Sequence, residues 1–90
     1  MISPDRFFRV CDSVAGRIVK ALAPVVGTPY GAEEICIGAD NTPTERLDKI
    51  AEDIVLEAFR ENKVCARILS EEAGMVDIGG DEGIAYLDPV

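Results

Sequence analysis

The sequence predicts an α/β chain that takes an α+β form over these 90 residues, with two amphipathic helices packed on a sheet. Two stretches repeat apolar residues at steps of three and four, the spacing that keeps one side of a helix in a core. Two short runs, 64–69 and 84–87, are apolar throughout except for Arg67, as strands in a covered sheet are. Hydrophobic residues at 48% and charged residues at 29% are enough to build a core. At this length that core is small, because only about 60–65% of the unfolded surface is buried on folding.

In chain order, Ser3, Pro4 and Asp5 read as an N-cap, a proline at the first helical position and an acid in the first turn. Phe7, Val10, Cys11, Val14, Ile18 and Leu22 then form one apolar face, which Pro24 ends. Arg6, Arg9, Arg17 and Lys20 lie off that face. Solvated cover for a core-packing helix is favoured over a phosphate-binding stripe. Residues 27–42 are rich in glycine and turn formers, and the apolar run 35–37 is an edge strand or an ordered loop.

Thr42-Pro43-Thr44-Glu45 has the form of a capping box and predicts a second helix from Pro43 to about Phe59 or Arg60. Leu47, Ile50, Ala51, Ile54 and Ala58 supply its apolar face, and Glu45 precedes Lys49 by four residues in the favourable order. A turn at 61–63 leads to the strand 64–69. A loop with Gly74, Gly79, Gly80 and Gly83 follows, and the strand 84–87 reads as buried on both faces.

Composition excludes several functions. The chain has no histidine, which removes histidine-dependent nucleophiles, histidine bases and the common zinc sites. A net charge of −8 argues against a nucleic-acid backbone or an anionic membrane as partner. Cys11, Cys36 and Cys65 are odd in number and far apart, which indicates neither a disulfide framework nor a thiolate zinc site. Cys36 and Cys65 sit in apolar runs and read as small core residues. No signal-like start is present, and no apolar stretch approaches the roughly 20 residues of a membrane span. A cytoplasmic protein is expected.

The charge is lopsided, with a net +2 over residues 1–30 against −10 over 31–90. After Arg67 only acids occur: Glu71, Glu72, Asp77, Asp81, Glu82 and Asp88. A solvated acidic loop would account for them; a hard-cation site built from carboxylate oxygens is the sharper alternative. Ser70-Glu71-Glu72 follows one strand and Asp88-Pro89-Val90 follows another, and strand C-termini are where open α/β sheets place ligands. If Glu71 and Asp88 share one ion, their strands must run parallel, and the segment between Ser70 and Ile84 is long enough for that crossover. The Val90 carbonyl would be a third oxygen. Taken singly, Glu71, Glu72 and Asp88 could instead cap or turn the chain. The spacings of an EF-hand, a Walker loop and a dinucleotide G-x-G-x-x-G are absent.

The succession Asp40-Asn41-Thr42-Pro43-Thr44, Asp48 early in a helix, Ser70-Glu71-Glu72, and a strand ending Tyr86-Leu87-Asp88-Pro89-Val90 resembles the inositol monophosphatase superfamily. The likeness is to its archaeal branch, which has inositol monophosphatase and fructose-1,6-bisphosphatase activities. The family's central motif, D-P-(I/V)-D-G-T/S, is matched in its first three positions. The resemblance implies the N-terminal part of the layered sugar-phosphatase fold, so residues 1–90 are expected to be one incomplete domain continuing beyond Val90. It also implies magnesium-dependent hydrolysis of a sugar or inositol phosphate monoester, with water attacking phosphorus in line and no covalent intermediate. By position, Glu71 and Asp88 would bind Mg2+ with the Val90 carbonyl, and Glu72 would help hold a further metal or its waters. Asp48 would help orient the attacking water. Because the rest of the motif has no counterpart here, the 90 residues alone are expected to be inactive. Oligomeric state is left open, a homodimer of the longer chain being one option. The competing expectation is a small acidic, non-catalytic domain that associates with protein through the edge 84–87.

Overall fold

The computed structural model describes residues 2–37, 43–71 and 73–87. Helix α1 (Pro4–Leu22) begins as its sequence requires: the Ser3 side chain accepts the Arg6 N–H at 3.3 Å, and Pro4 fills the first turn, where no amide is needed. Its buried residues, Val10 and Val14, lie on the expected face. A single-turn helix α2 (Pro29–Ala32) follows, capped by Thr28, whose Oγ1 accepts the Gly31 N–H at 3.2 Å. Gly31 is packed so closely that a Cβ there would come 2.5 Å from the Val25 carbonyl oxygen.

Strands β1 (Glu34–Ile37) and β2 (Pro43–Glu45) pair antiparallel, with Glu34 opposite Glu45 and Cys36 opposite Thr44. Of the two readings of 35–37, the strand is therefore the one adopted. The pairing also corrects the start of the second long helix. Pro43–Glu45 is extended rather than helical, and α3 runs Arg46–Asn62. Glu45 is its N-cap residue and makes no side-chain capping bond. The physical reason is competition: the backbone of 43–45 is held in a ladder with β1, and the Arg46 N–H donates to Glu33 O at 2.8 Å. The expected Glu45–Lys49 pair is replaced within the helix by Lys49–Asp53 at 2.9 Å. Lys63, in a left-handed conformation at φ 48°, closes the C-terminus.

A three-stranded sheet completes the fold in the order β4-β3-β5. Strand β3 (Arg67–Ser70) starts later than expected, since 64–66 form an irregular approach with Val64 and Cys65 buried. Strand β4 (Gly74–Asp77) lies inside what reads in the sequence as a glycine loop and forms an antiparallel hairpin with β3. Strand β5 (Ile84–Leu87) pairs parallel to β3 on its other side.

Helices α1 and α3 cover one face of this sheet. Val10 and Val14 meet Leu56, Ala58 and Phe59, and beneath them lie Val64, Cys65, Ile68 and Ile78. Phe7 and Phe59 make an edge-to-face pair at 6.2 Å. Strand alternation turns Leu69, Met75, Ile84 and Tyr86 to the opposite face, where all four are exposed. The expectation that 84–87 is buried on both sides is therefore corrected: β5 is an edge with one covered face. No helix of the described residues is long and apolar enough to cross a membrane.

Candidate active site

The parallel pair β3–β5 creates the corner to which the acidic segments lead. Ser70 lies opposite Leu87, so both strands end level, and the Glu71 N–H continues the ladder by donating to Leu87 O at 3.4 Å. Glu71 is exposed just past the end of β3. Asp88 follows Leu87 in sequence. Asp88, Val90 and Glu72 lie outside the described residues. Glycines set the hairpin and the crossover: Gly74, Gly79 and Gly83 have φ of 75°, 92° and 93°, a region that side chains disfavour.

Asp48 is the third residue of α3 and half-buried, near the positive end of the helix dipole. One turn on, on the same side of the helix, stands Glu52, which the sequence reading passed over. Glu52 is only 2% exposed. The Ser70 hydroxyl donates to its Oε1 and in turn accepts the Ala73 N–H at 3.1 Å. Its other oxygen, Oε2, is buried without a hydrogen-bond partner. A signal did exist: positions 52, 56 and 59 form the buried stripe of α3, and a carboxylate at the first of them breaks an otherwise apolar series.

Glu52 is tied through Ser70 to the end of β3, with Asp48 one turn away on α3 and Glu71 next to Ser70 in sequence; all three offer oxygen ligands alone, and Glu52 Oε2 is an orphaned buried acceptor. That chemistry fits a hard, hydrated divalent cation such as Mg2+ rather than a thiolate- or imidazole-seeking metal. Among the described residues, no three carboxylates or thiols gather into a finished cation site.

Two arginines of α1 tie it to α3. Arg6 donates to Asn62 O at 2.8 Å and Arg17 pairs with Glu61 at 3.2 Å, fastening α1 to the end of α3 along a recess that Arg9 and Ser13 also line. At the other end of α3, Arg46 bonds Glu33 at 3.0 Å and lies 4.1 Å over the Tyr30 ring, and the Glu33 carboxylate raises its pKa further. Cys11 and Cys65 are free thiols, and Cys65 is buried as expected of a small core residue.

No family model matches the chain. It is 42% identical over 81 residues to the bifunctional NADP phosphatase/NAD kinase of Methanococcus maripaludis, a match covering 87% of this chain and 14% of that protein. It is 38% identical over 85 residues to the fructose-1,6-bisphosphatase/inositol-1-monophosphatase of Methanothermobacter thermautotrophicus, covering 90% and 30%. With the protein of the same name from Archaeoglobus fulgidus the identity is 32% over 82 residues, covering 91% and 31%. The chain therefore spans less than a third of the length of each of these relatives.

Proposed function

Since the chain belongs to the inositol monophosphatase superfamily, together with the archaeal fructose-1,6-bisphosphatase/inositol-1-monophosphatases, we propose that it contributes one wall of a magnesium-dependent phosphomonoesterase site. In this reading Glu71, Asp88 and the Val90 carbonyl hold Mg2+, and Glu72 helps to hold a further ion or its waters. Bound there, magnesium supplies Lewis-acid stabilisation of phosphoryl oxygens and lowers the pKa of coordinated water. Asp48 accepts a hydrogen bond from the attacking water and orients it toward phosphorus.

The observation that carries this reading is the parallel β3–β5 register, which ends both strands level at Ser70 and Leu87. It is the pairing that a shared ion between positions 71 and 88 requires. The substrate is a phosphorylated small molecule. Relatives' names span fructose bisphosphate, inositol phosphate and NADP, all of them phosphate monoesters at the reacting group. The proposed setting is cytoplasmic, without nucleic acid or membrane, in a longer chain that can dimerise; the 90 residues alone are inactive.

The test uses the full open reading frame that encodes this chain. Codons after Val90 reading Asp-Gly-Thr or Asp-Gly-Ser support the assignment, and a stop or an unrelated continuation removes the enzyme reading. In the longer protein, Glu71→Gln is expected to abolish Mg2+-dependent phosphate release while circular dichroism stays unchanged. Full turnover in that variant would refute the ligand role.

A further inference from the structure

We infer that Glu52 is the positioning residue for the acidic turn, an inference that rests on the reading of Glu71 as a metal ligand. Glu52 occupies the apolar stripe of α3 above Leu56 and Phe59, where a leucine would pack without penalty. Burying a carboxylate in such a place is costly even when it is hydrogen-bonded, and apolar replacements of buried ionic groups are often neutral or stabilising. Packing therefore gives no reason for a glutamate at this position. Its contacts do. Oε1 takes the proton of the Ser70 hydroxyl, and the same hydroxyl oxygen takes the Ala73 N–H at 3.1 Å. The carboxylate thus holds the Ser70 hydroxyl, which in turn holds the Ala73 amide, on either side of the exposed Glu71.

The second oxygen gives the inference its direction. Oε2 is fully enclosed and has no partner, whereas buried polar atoms are nearly always satisfied, and the exceptions mark catalytic groups or absent waters and ions. Asp48 lies one turn away on the same side of the helix, about 6 Å along the axis. Glu52 is therefore set between the water-orienting acid and the ligand-bearing turn, with one acceptor committed to the protein and one in reserve. Through its bond to Ser70, the residue before Glu71, it fixes where Glu71 points. Partners of this kind, which do not touch the metal, typically govern its affinity by about 10- to 100-fold.

The experiment takes the full-length protein and measures Mg2+ binding by titration calorimetry with Mg2+ alone, alongside thermal unfolding in EDTA. Glu52→Leu and Ser70→Ala are expected to weaken Mg2+ binding at least about tenfold. Unfolding temperature in EDTA should fall for Ser70→Ala, which leaves Glu52 Oε1 and the Ala73 N–H without the hydroxyl, and stay level or rise for Glu52→Leu, so that only the loss of Mg2+ affinity is common to both. Glu52→Gln, which keeps an acceptor for Ser70, should fall between wild type and Glu52→Leu and keeps the test decisive if the leucine variant fails to fold. Unchanged Mg2+ affinity in both Glu52→Gln and Ser70→Ala would overturn the positioning role. Glu71→Gln separates the two levels. If it abolishes Mg2+ binding while the Glu52 and Ser70 variants bind normally, only this inference fails; if it binds Mg2+ like wild type, the ligand assignment fails and this inference with it.

Discussion

Ile68 shows what a single residue carries in a core this small. It is fully buried in β3 between the sheet and the α1–α3 layer. Ile68→Ala should cost about 2–5 kcal/mol, read as a lower urea midpoint at constant slope. Against a typical total of about 5–15 kcal/mol for a native domain, that loss is severe. Gly80 is equally intolerant for a different reason. A Cβ there would stand 2.5 Å from the Cys65 carbonyl oxygen, so Gly80→Ala must move backbone, and its melting temperature should drop more than that of Gly16→Ala, where no atom lies within 4 Å. At this scale Glu71 and Asp48 are candidates from residue type and order alone, which the sequence displays. Glu52 is not, since its meaning comes from burial and from Ser70, a partner 18 positions away.

At the scale of elements, α1 was legible from end to end because every signal is local: cap, proline, period and stop all lie within the segment. Ser3→Ala should cost about 1 kcal/mol. Glu45→Ala, by contrast, should change stability by less than about 0.5 kcal/mol, as it makes no capping bond and is exposed. Comparing the two variants by thermal denaturation tests whether the capping-box pattern at 42–45 operates in the folded chain. That pattern misplaced the helix start because pairing with β1, a nonlocal contact, outweighed a local preference. Two elements were invisible for lack of length. Pro29–Ala32 spans one turn, too short to show a period, and Gly74–Asp77 has only Met75 and Val76 between a glycine and an acid. The covered side of 84–87 was overcounted for a related reason: an unbroken apolar run does not say how many layers lie above the strand.

At the scale of the whole molecule, the described residues cover one face of the sheet and leave the other open. Leu69, Met75, Ile84 and Tyr86 form an apolar row beside the outer edge of β5, which no other described strand pairs, a combination that invites association. The isolated 90-residue chain should self-associate with rising concentration in sedimentation experiments. Leu69→Lys with Tyr86→Lys should return it to a monomer, because both substitutions lie on the exposed face and leave the α1–α3 core intact. A wild-type chain that stays monomeric at all concentrations would mean that the face is tolerated in water.

The short connection between β4 and β5 has a meaning for descent as well as for folding. Surface turns usually gain and lose residues freely. This one is fastened at intervals to the segment before β3: Ile78 N–H to Ala66 O, Gly80 N–H to Cys65 O, and Ala66 N–H back to Gly83 O. Because neighbouring strand residues face opposite ways, one added residue would slide β5 by a step and reverse every side chain along it. The turn acts as a ruler that sets which residue of the second strand stands level with Ser70. Related chains should therefore hold the length of 78–83 constant, while differing freely around 23–27, where no strand register is at stake.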